Sequence, residues 1–149
     1  QFKRNVQLKG EYFLTDAINI MLESQVKMRT EQVKVWLDAG TSDALLDTNR
    51  YLLEHGRSNQ QSLRYGDDVV ILPPVFIHPD ARVSASIIGP FTSIGAGAVV
   101  QGSAIKDSVL SPGVHITNSH LDSSLLGHDV VINGMMGKFN LGDNSWANW

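Results

Sequence analysis

From Val69 to Ile132 the chain repeats one short pattern: a small or β-branched residue, any residue, then an aliphatic one. Twelve copies follow one another, from Val69-Val70-Ile71 and Val75-Phe76-Ile77 to Ser124-Leu125-Leu126 and Val130-Val131-Ile132. A fixed short period signals a repeat architecture and outranks local propensity. The aliphatic positions lie five or six residues apart, and every third one falls into a column: Ile71, Ile88, Ile105, Leu121; Ile77, Ile94, Leu110, Leu126; and Val83, Val100, Ile116, Ile132. Within each column the step is 16 or 17 residues.

This arithmetic predicts a three-sided coil with one short strand per side. Side chains alternate along a strand, so the first and third residues of each tripeptide share a face, and that face points inward. Gly and Pro fall between the tripeptides, at Pro73-Pro74, Pro79, Gly89-Pro90, Gly95, Gly97, Gly102, Pro112-Gly113 and Gly127, where corners need unusual backbone angles. Coils stack at the strand spacing, so about three and a half of them make a prism on the order of 17 Å tall.

These tripeptides, with Ile94-Gly95-Ala96-Gly97-Ala98-Val99 as one hexad, resemble the hexapeptide-repeat, left-handed parallel β-helix family. A β-sandwich would instead need hairpin turns about every 8 to 12 residues. The repeat does not specify function, because one prism can serve several chemistries or assembly alone.

Before the repeat the period changes. Ala17, Ile18, Met21 and Leu22 share a helical face behind Thr15, a candidate N-cap, and Asp16 in the first turn. Gln32 to Leu37 alternates and predicts a strand, with Asp38-Ala39-Gly40-Thr41-Ser42 as the turn after it. A second helix is predicted from Asp43 to Glu54, capped by Thr41 or Ser42, with Leu45, Leu46, Asn49, Leu52 and Leu53 on one side and Gly56 just past its end. The alternation of Phe2, Val6 and Leu8 is too short to assign. The expected organisation is therefore residues 1–56 as the C-terminal remnant of an α/β domain, 57–68 as a polar linker, and 69–149 as the β-helix with a C-terminal tail. Met135, Met136, Phe139, Leu141, Trp146 and Trp149 in that tail are expected to cap one end of the prism or pack on a neighbouring subunit. The fold class is mainly β.

Composition narrows the picture. Hydrophobic residues make up 42% and charged residues 18% of the chain, ordinary for a soluble globular protein. No apolar run reaches the roughly 20 residues of a membrane span, so a soluble, cytoplasmic protein without a membrane partner is expected. There is no cysteine, which rules out disulfides and thiolate metal sites within the chain. Net charge is −3, and residues 67–149 carry three Lys or Arg against seven Asp or Glu, so the prism has no basic stripe for nucleic acid. The start at Gln1, within a polar-apolar pattern, suggests a fragment.

A second resemblance rests on Gly10-Glu11-Tyr12-Phe13-Leu14-Thr15-Asp16-Ala17, Trp36-Leu37-Asp38-Ala39-Gly40-Thr41 and Ala44-Leu45-Leu46-Asp47-Thr48-Asn49. In their order, and with Leu141-Gly142-Asp143-Asn144-Ser145 near the end, these resemble the C-terminal part of the sugar-1-phosphate nucleotidyltransferase family, and most of all its long glucose-1-phosphate thymidylyltransferase branch. The resemblance implies attack of a sugar 1-phosphate on a nucleoside triphosphate with loss of pyrophosphate, assisted by Mg²⁺. It implies that Asp38 is one of two metal-binding aspartates, that Thr15 and Trp36 line a sugar pocket, and that Glu11 is a possible sugar contact. Read from the residues alone, Asp38 caps a turn, Thr15 an N-terminus, Trp36 fills a core and Glu11 is a surface carboxylate. Ala39 departs from the Thr or Cys often found there.

None of the thirteen glycines builds a phosphate-binding loop, since Gly95-Ala96-Gly97 belongs to the coil corners. The chain alone is therefore expected not to catalyse nucleotidyl transfer, and the prism to serve assembly as a homo-oligomer or regulation. One alternative is a β-helix acyltransferase using His78, His115, His120 or His128 as general base, although no long loop interrupts the period. A non-catalytic oligomerisation module is another. A third is a zinc site of His78, His115 and His120, spaced as in the carbonic anhydrases of this fold, but the columns put these side chains on different coils and faces.

Overall fold

The computed structural model describes residues 13–62 and 64–149. Glu11 and the weak alternation over residues 1–9 lie outside the described residues. The chain divides into two compact units after Trp36.

In the first unit, α1 (Leu14–Glu23) ends in a turn at Ser24 and Gln25. Phe13 is its N-cap, so the expected capping role of Thr15 is corrected: Thr15 lies inside the first turn of the helix. Leu14, Ile18, Met21 and Leu22 give α1 its apolar stripe, and they stay exposed. The strand expected over Gln32–Leu37 does not form either. Val33, Val35 and Trp36 are 64%, 48% and 85% exposed, and among the described residues the segment has no ladder partner to make it a strand.

The second unit, Leu37–Trp149, is built on the coils. A first sheet contains β1 (Val69–Ile71), β4 (Ser86–Ile88), β7 (Ala104–Lys106), β10 (His120–Asp122) and β13 (Met136–Gly137) in that order. The second contains β2 (Val75–Ile77), β5 (Thr92–Ile94), β8 (Val109–Leu110), β11 (Leu125–Leu126) and β14 (Asn140–Leu141). The third contains β3 (Arg82–Ser84), β6 (Val99–Gln101), β9 (His115–Thr117), β12 (Val131–Asn133) and β15 (Trp146–Asn148). All pairings are parallel, as a left-handed β-helix requires.

The strand register reproduces the columns. Ile71 pairs with Ile88, Ile88 with Ile105 and Ile105 with Leu121. Ile77, Ile94, Leu110 and Leu126 stack in the second sheet, and Val83, Val100, Ile116 and Ile132 in the third. From Val75 to Ile132 the inward aliphatic residues form one buried cluster. Buried Ser86, Thr92, Ser103, Ser108, Ser119 and Ser124 fill the narrow places beside them.

Corners also recur in columns of positive φ: Ala85, Gly102, Asn118 and Gly134; Phe91, Asp107 and Ser123; Gly97, Gly113, Asp129 and Asn144. Asn and Asp take this conformation more readily than other side-chain-bearing residues, which explains how the corners manage with few glycines.

Each sheet has five strands, so the estimate of three and a half coils is corrected upward. The extra coil is the tail. Residues expected to cap an end instead continue the winding, with Gly137 beside Leu121, Leu141 beside Leu126 and Ala147 beside Ile132. Every strand of the fifth coil thereby pairs on one side with the fourth.

The first coil is closed by the segment before it. Asn59 imitates a strand: its N–H donates to the Val75 carbonyl at 3.0 Å, its Nδ2 donates to the Ile77 carbonyl at 2.8 Å, and its Oδ1 accepts the Ile77 N–H at 2.9 Å. A sheet edge that would otherwise present unpaired groups is covered in this way.

Candidate functional site

The second helix forms as α2 (Ser42–Leu52), and the Thr41 side chain caps it by accepting the Ala44 N–H at 3.2 Å. Its end loosens through Leu53–Arg57, where Gly56 has a φ of +87°. Leu46 and Leu53 are buried. Eleven residues give a helix about 16 Å long, comparable to the stack of strands it crosses. Its first residues meet the fifth coil: Asn140 Nδ2 donates to Ser42 Oγ at 2.6 Å, and Lys138 pairs with Asp43 at 3.1 Å. Asn49, further along, meets the second coil. Its Nδ2 donates to the Phe91 carbonyl at 3.0 Å and its Oδ1 accepts from Ser93 Oγ at 2.6 Å.

Arg50 then grips a corner of the prism. Its Nε donates to Asp107 Oδ1 at 2.6 Å and its Nη2 to Asp107 Oδ2. The hydrogen bond to Asp107 holds the guanidinium above its already high ordinary value, against the smaller opposing effect of burial. Asp107 also accepts from Ser123 Oγ at 2.9 Å, one coil further on.

The turn carrying Asp38 leans on this helix. Asp38 Oδ1 accepts the N–H groups of Ala39 at 2.7 Å and Gly40 at 3.0 Å, as a short acidic side chain does when it shapes its own turn. Thr48 Oγ1 donates to the Asp38 carbonyl at 2.8 Å. Only one carboxylate oxygen is used in these bonds, and the residue is exposed. Mg²⁺ asks for a near-octahedral set of hard oxygens. Asp38 has the right chemistry for one such ligand, but among the described residues no group of three or more His, Asp or Glu side chains converges on a metal position.

The remaining candidates stand apart from this turn in character. Thr15 is exposed within α1, and Trp36, 85% exposed, is not the core tryptophan its composition allows. His115 points outward from the third sheet and His120 outward from the first, so the zinc trio is not gathered. His128 sits at a corner 3.5 Å from Asp143, and His78 lies 3.6 Å from Asp80. Sequence reasoning missed the roles of Thr48, Arg50 and Asp107. The available signal was Asn49, a polar residue inside the apolar stripe of α2.

The three sheets differ outside. The second is covered by α2. The third shows a polar row in which Thr117 Oγ1 donates to Asn133 Oδ1 and Asn133 Nδ2 to Asn148 Oδ1. On the first, Val70, Ile87 and Met136 are exposed and no described element covers them; a shallow groove of about 390 Å³ runs past Ile87, Pro90, Ala104 and His120. Lys106 and Asp122, paired at 3.0 Å, edge that groove.

Fold and site together define a hexapeptide-repeat β-helix with a helical strut clamped along one side. By sequence, the chain is similar to part of two proteins named glucose-1-phosphate thymidylyltransferase and to part of a bifunctional protein GlmU. It is 27% identical over 142 aligned positions to the glucose-1-phosphate thymidylyltransferase of Streptomyces griseus, covering 83% of this chain and 40% of that protein. It is 27% identical over 160 positions to the enzyme of the same name from Streptomyces antibioticus, covering 92% of this chain and 45% of that one. The bifunctional protein GlmU of Streptococcus equi subsp. zooepidemicus is 31% identical over 133 positions, covering 83% of this chain and 29% of that protein. The chain thus spans less than half the length of the curated relatives it matches. No protein-family model matches it. Among solved structures, the acetyltransferase domain of PglB from Neisseria gonorrhoeae in complex with acetyl coenzyme A is 17% identical, with a TM-score of 0.28 over 83% of this chain and 82% of that one, a likeness that supports no conclusion about function. Among the described residues no helix is long and apolar enough to cross a membrane.

Proposed function

We propose that the chain is the C-terminal part of a cytoplasmic sugar-1-phosphate nucleotidyltransferase that joins a nucleoside triphosphate to a sugar 1-phosphate and releases pyrophosphate, with dTTP and glucose 1-phosphate as the first candidates. One observation carries this reading. The similarity to two glucose-1-phosphate thymidylyltransferases covers 83% and 92% of the chain, whereas the coils, residues 69–149, are little more than half of it. The match therefore extends into the helical segment before the coils.

On this reading residues 1–56 close the catalytic domain, 57–68 join it to the prism, and α2 is the junction. Asp38 contributes one oxygen to Mg²⁺, and the other ligands come from the remainder of the longer protein. Mg²⁺, when bound, neutralises charge on the phosphates as pyrophosphate departs. Thr15 offers a hydroxyl and Trp36 a flat apolar face to the sugar, with Glu11 beside them. The chain by itself turns over no substrate, because it lacks a loop to cradle the triphosphate.

The prism serves assembly in this account. Its first sheet is the face on which a second copy of the chain packs to make a homo-oligomer. Light scattering on the wild-type protein and on an Ile87→Asp variant tests this: a larger assembly that falls to monomers in the variant supports the assignment, and a monomeric wild type opposes it. The catalytic reading is tested by pyrophosphate release from the product of the native gene with glucose 1-phosphate, Mg²⁺ and each of dTTP, UTP, ATP and GTP. Release with one of these supports it, and silence with all four and with other sugar 1-phosphates refutes it.

A further inference from the structure

Three consecutive residues of α2 face two ways. Thr48 donates its hydroxyl to the Asp38 carbonyl at 2.8 Å, fixing the peptide that follows the carboxylate. Asn49 and Arg50 bind the prism, the first through Phe91 and Ser93 and the second through both oxygens of Asp107. Successive helical positions are about 100° apart, so a single turn of helix can hold the Asp38 turn on one flank and the coils on another.

Among the described residues the Asp38 turn has little else to hold it. The residue is exposed, and its own side-chain bonds, to Ala39 and Gly40, are local. Local bonds shape a turn without fixing where it lies, and positioning of this kind comes from contacts with a rigid body. Here the rigid body is the prism, whose inward residues from Val75 onward form one buried cluster.

We infer that α2 is a strut through which the prism sets the position of Asp38, with Thr48 as the positioning residue. The inference rests on the proposed role of Asp38 in the longer protein's site. It gives the prism a task beyond assembly: the coils act on the reaction through Asp107, Arg50, Thr48 and the backbone of Asp38.

The test uses the full-length protein and two readouts. Amide hydrogen exchange at Ala39 and Gly40, whose N–H groups bond to Asp38 Oδ1, reports the turn without reference to activity. Exchange there is expected to accelerate by about tenfold in Thr48→Val and to return to the wild-type rate in Thr48→Ser, which keeps the hydroxyl. Asp107→Asn, which does not touch the turn, is expected to accelerate the same two amides. In kinetics, Thr48→Val is expected to lower kcat by about tenfold, raise the Mg²⁺ concentration for half-maximal rate and leave KM for the sugar phosphate unchanged. Wild-type exchange in Thr48→Val, or in Asp107→Asn, overturns the strut. If Asp38→Ala keeps full activity while the exchange responses appear, the strut stands as a conformational coupling and the reading of Asp38 as a metal ligand fails.

Discussion

Ser103 and Ser119 stand one coil apart at the same corner, and the hydroxyl of the first accepts the N–H of the second at 3.0 Å while donating to the Gln101 carbonyl at 2.8 Å. The relation repeats along the prism: Ser103 N–H donates to Ser86 Oγ, and Met135 N–H to Ser119 Oγ. A parallel ladder runs from Ser108 through Ser124 to Phe139. At two of the three corners the small inward residues thus carry the backbone to the next coil. Ser103→Ala is expected to leave the Ser119 N–H buried without a partner and to lower stability by about 1–3 kcal/mol, measured by urea unfolding.

Gly89, in the second coil, lies close against Leu72 of the first. It has a φ of +100°, and a Cβ placed on it would stand 1.9 Å from the Leu72 carbonyl oxygen. Gly89→Ala is expected to destabilise the chain by at least about 1–3 kcal/mol, since backbone rather than a flexible side chain must give way. Gly97, with a φ of +67° but open space around it, is the control: Gly97→Asn is expected to be tolerated in the same melting experiment.

The clamp between Arg50 and Asp107 is bidentate and partly shielded, with the Asp107 side chain 14% exposed and that of Arg50 39%. A double-mutant cycle of Arg50→Ala and Asp107→Ala is expected to give a coupling of about 1–2 kcal/mol, above the range for exposed ion pairs. Coupling near zero would mean that α2 is held by its other contacts, at Ser42, Asp43, Leu46 and Asn49, without help from this pair.

Acid weakens the groove edge. The hydrogen bond from Lys106 holds the Asp122 carboxyl below its ordinary value of 3.8, with Ser123 adding to the effect and burial opposing it. A carboxyl lowered in the folded state contributes stability that is whole above its unfolded value and is lost as pH falls through the folded one. Thermal unfolding of the wild type is therefore expected to lose a small increment below about pH 4 that Asp122→Asn lacks. The increment is small because both side chains are half exposed.

The twelve tripeptides from Val69 to Ile132 were legible because the period and the residue types agreed. A small residue, an outward one and an aliphatic one recur every 16 or 17 positions, and Ile94 to Ile132 pair as that spacing requires. The fifth coil keeps nearly the same spacing but inverts the sizes. Met135 and Phe139 are large where earlier coils have Ser, and Gly137 and Ala147 are small where they have aliphatics. Only Leu141 keeps the aliphatic type in its column, so the winding continues while the residue pattern that marks the repeat is lost. The strand expected at Gln32–Leu37 failed for another reason: alternation states which faces could be buried, not whether a partner is present. Of the site, the Asp38 turn and its helix were legible in the motif residues. The clamp was not, because nothing in the spacing of Arg50 and Asp107, 57 residues apart, shows that a corner of the prism returns beneath α2.

Under the proposed function, Asp38 serves nucleotidyl transfer in the longer protein. The most direct measurement is the rate of pyrophosphate release by the product of the native gene and by its Asp38→Ala variant, with glucose 1-phosphate, dTTP and Mg²⁺, after equal melting temperatures have shown both to be folded. The account predicts a loss of about 10²-fold or more in kcat for the variant, as expected when a group that stabilises transition-state charge is removed. Equal rates in the two proteins would contradict it.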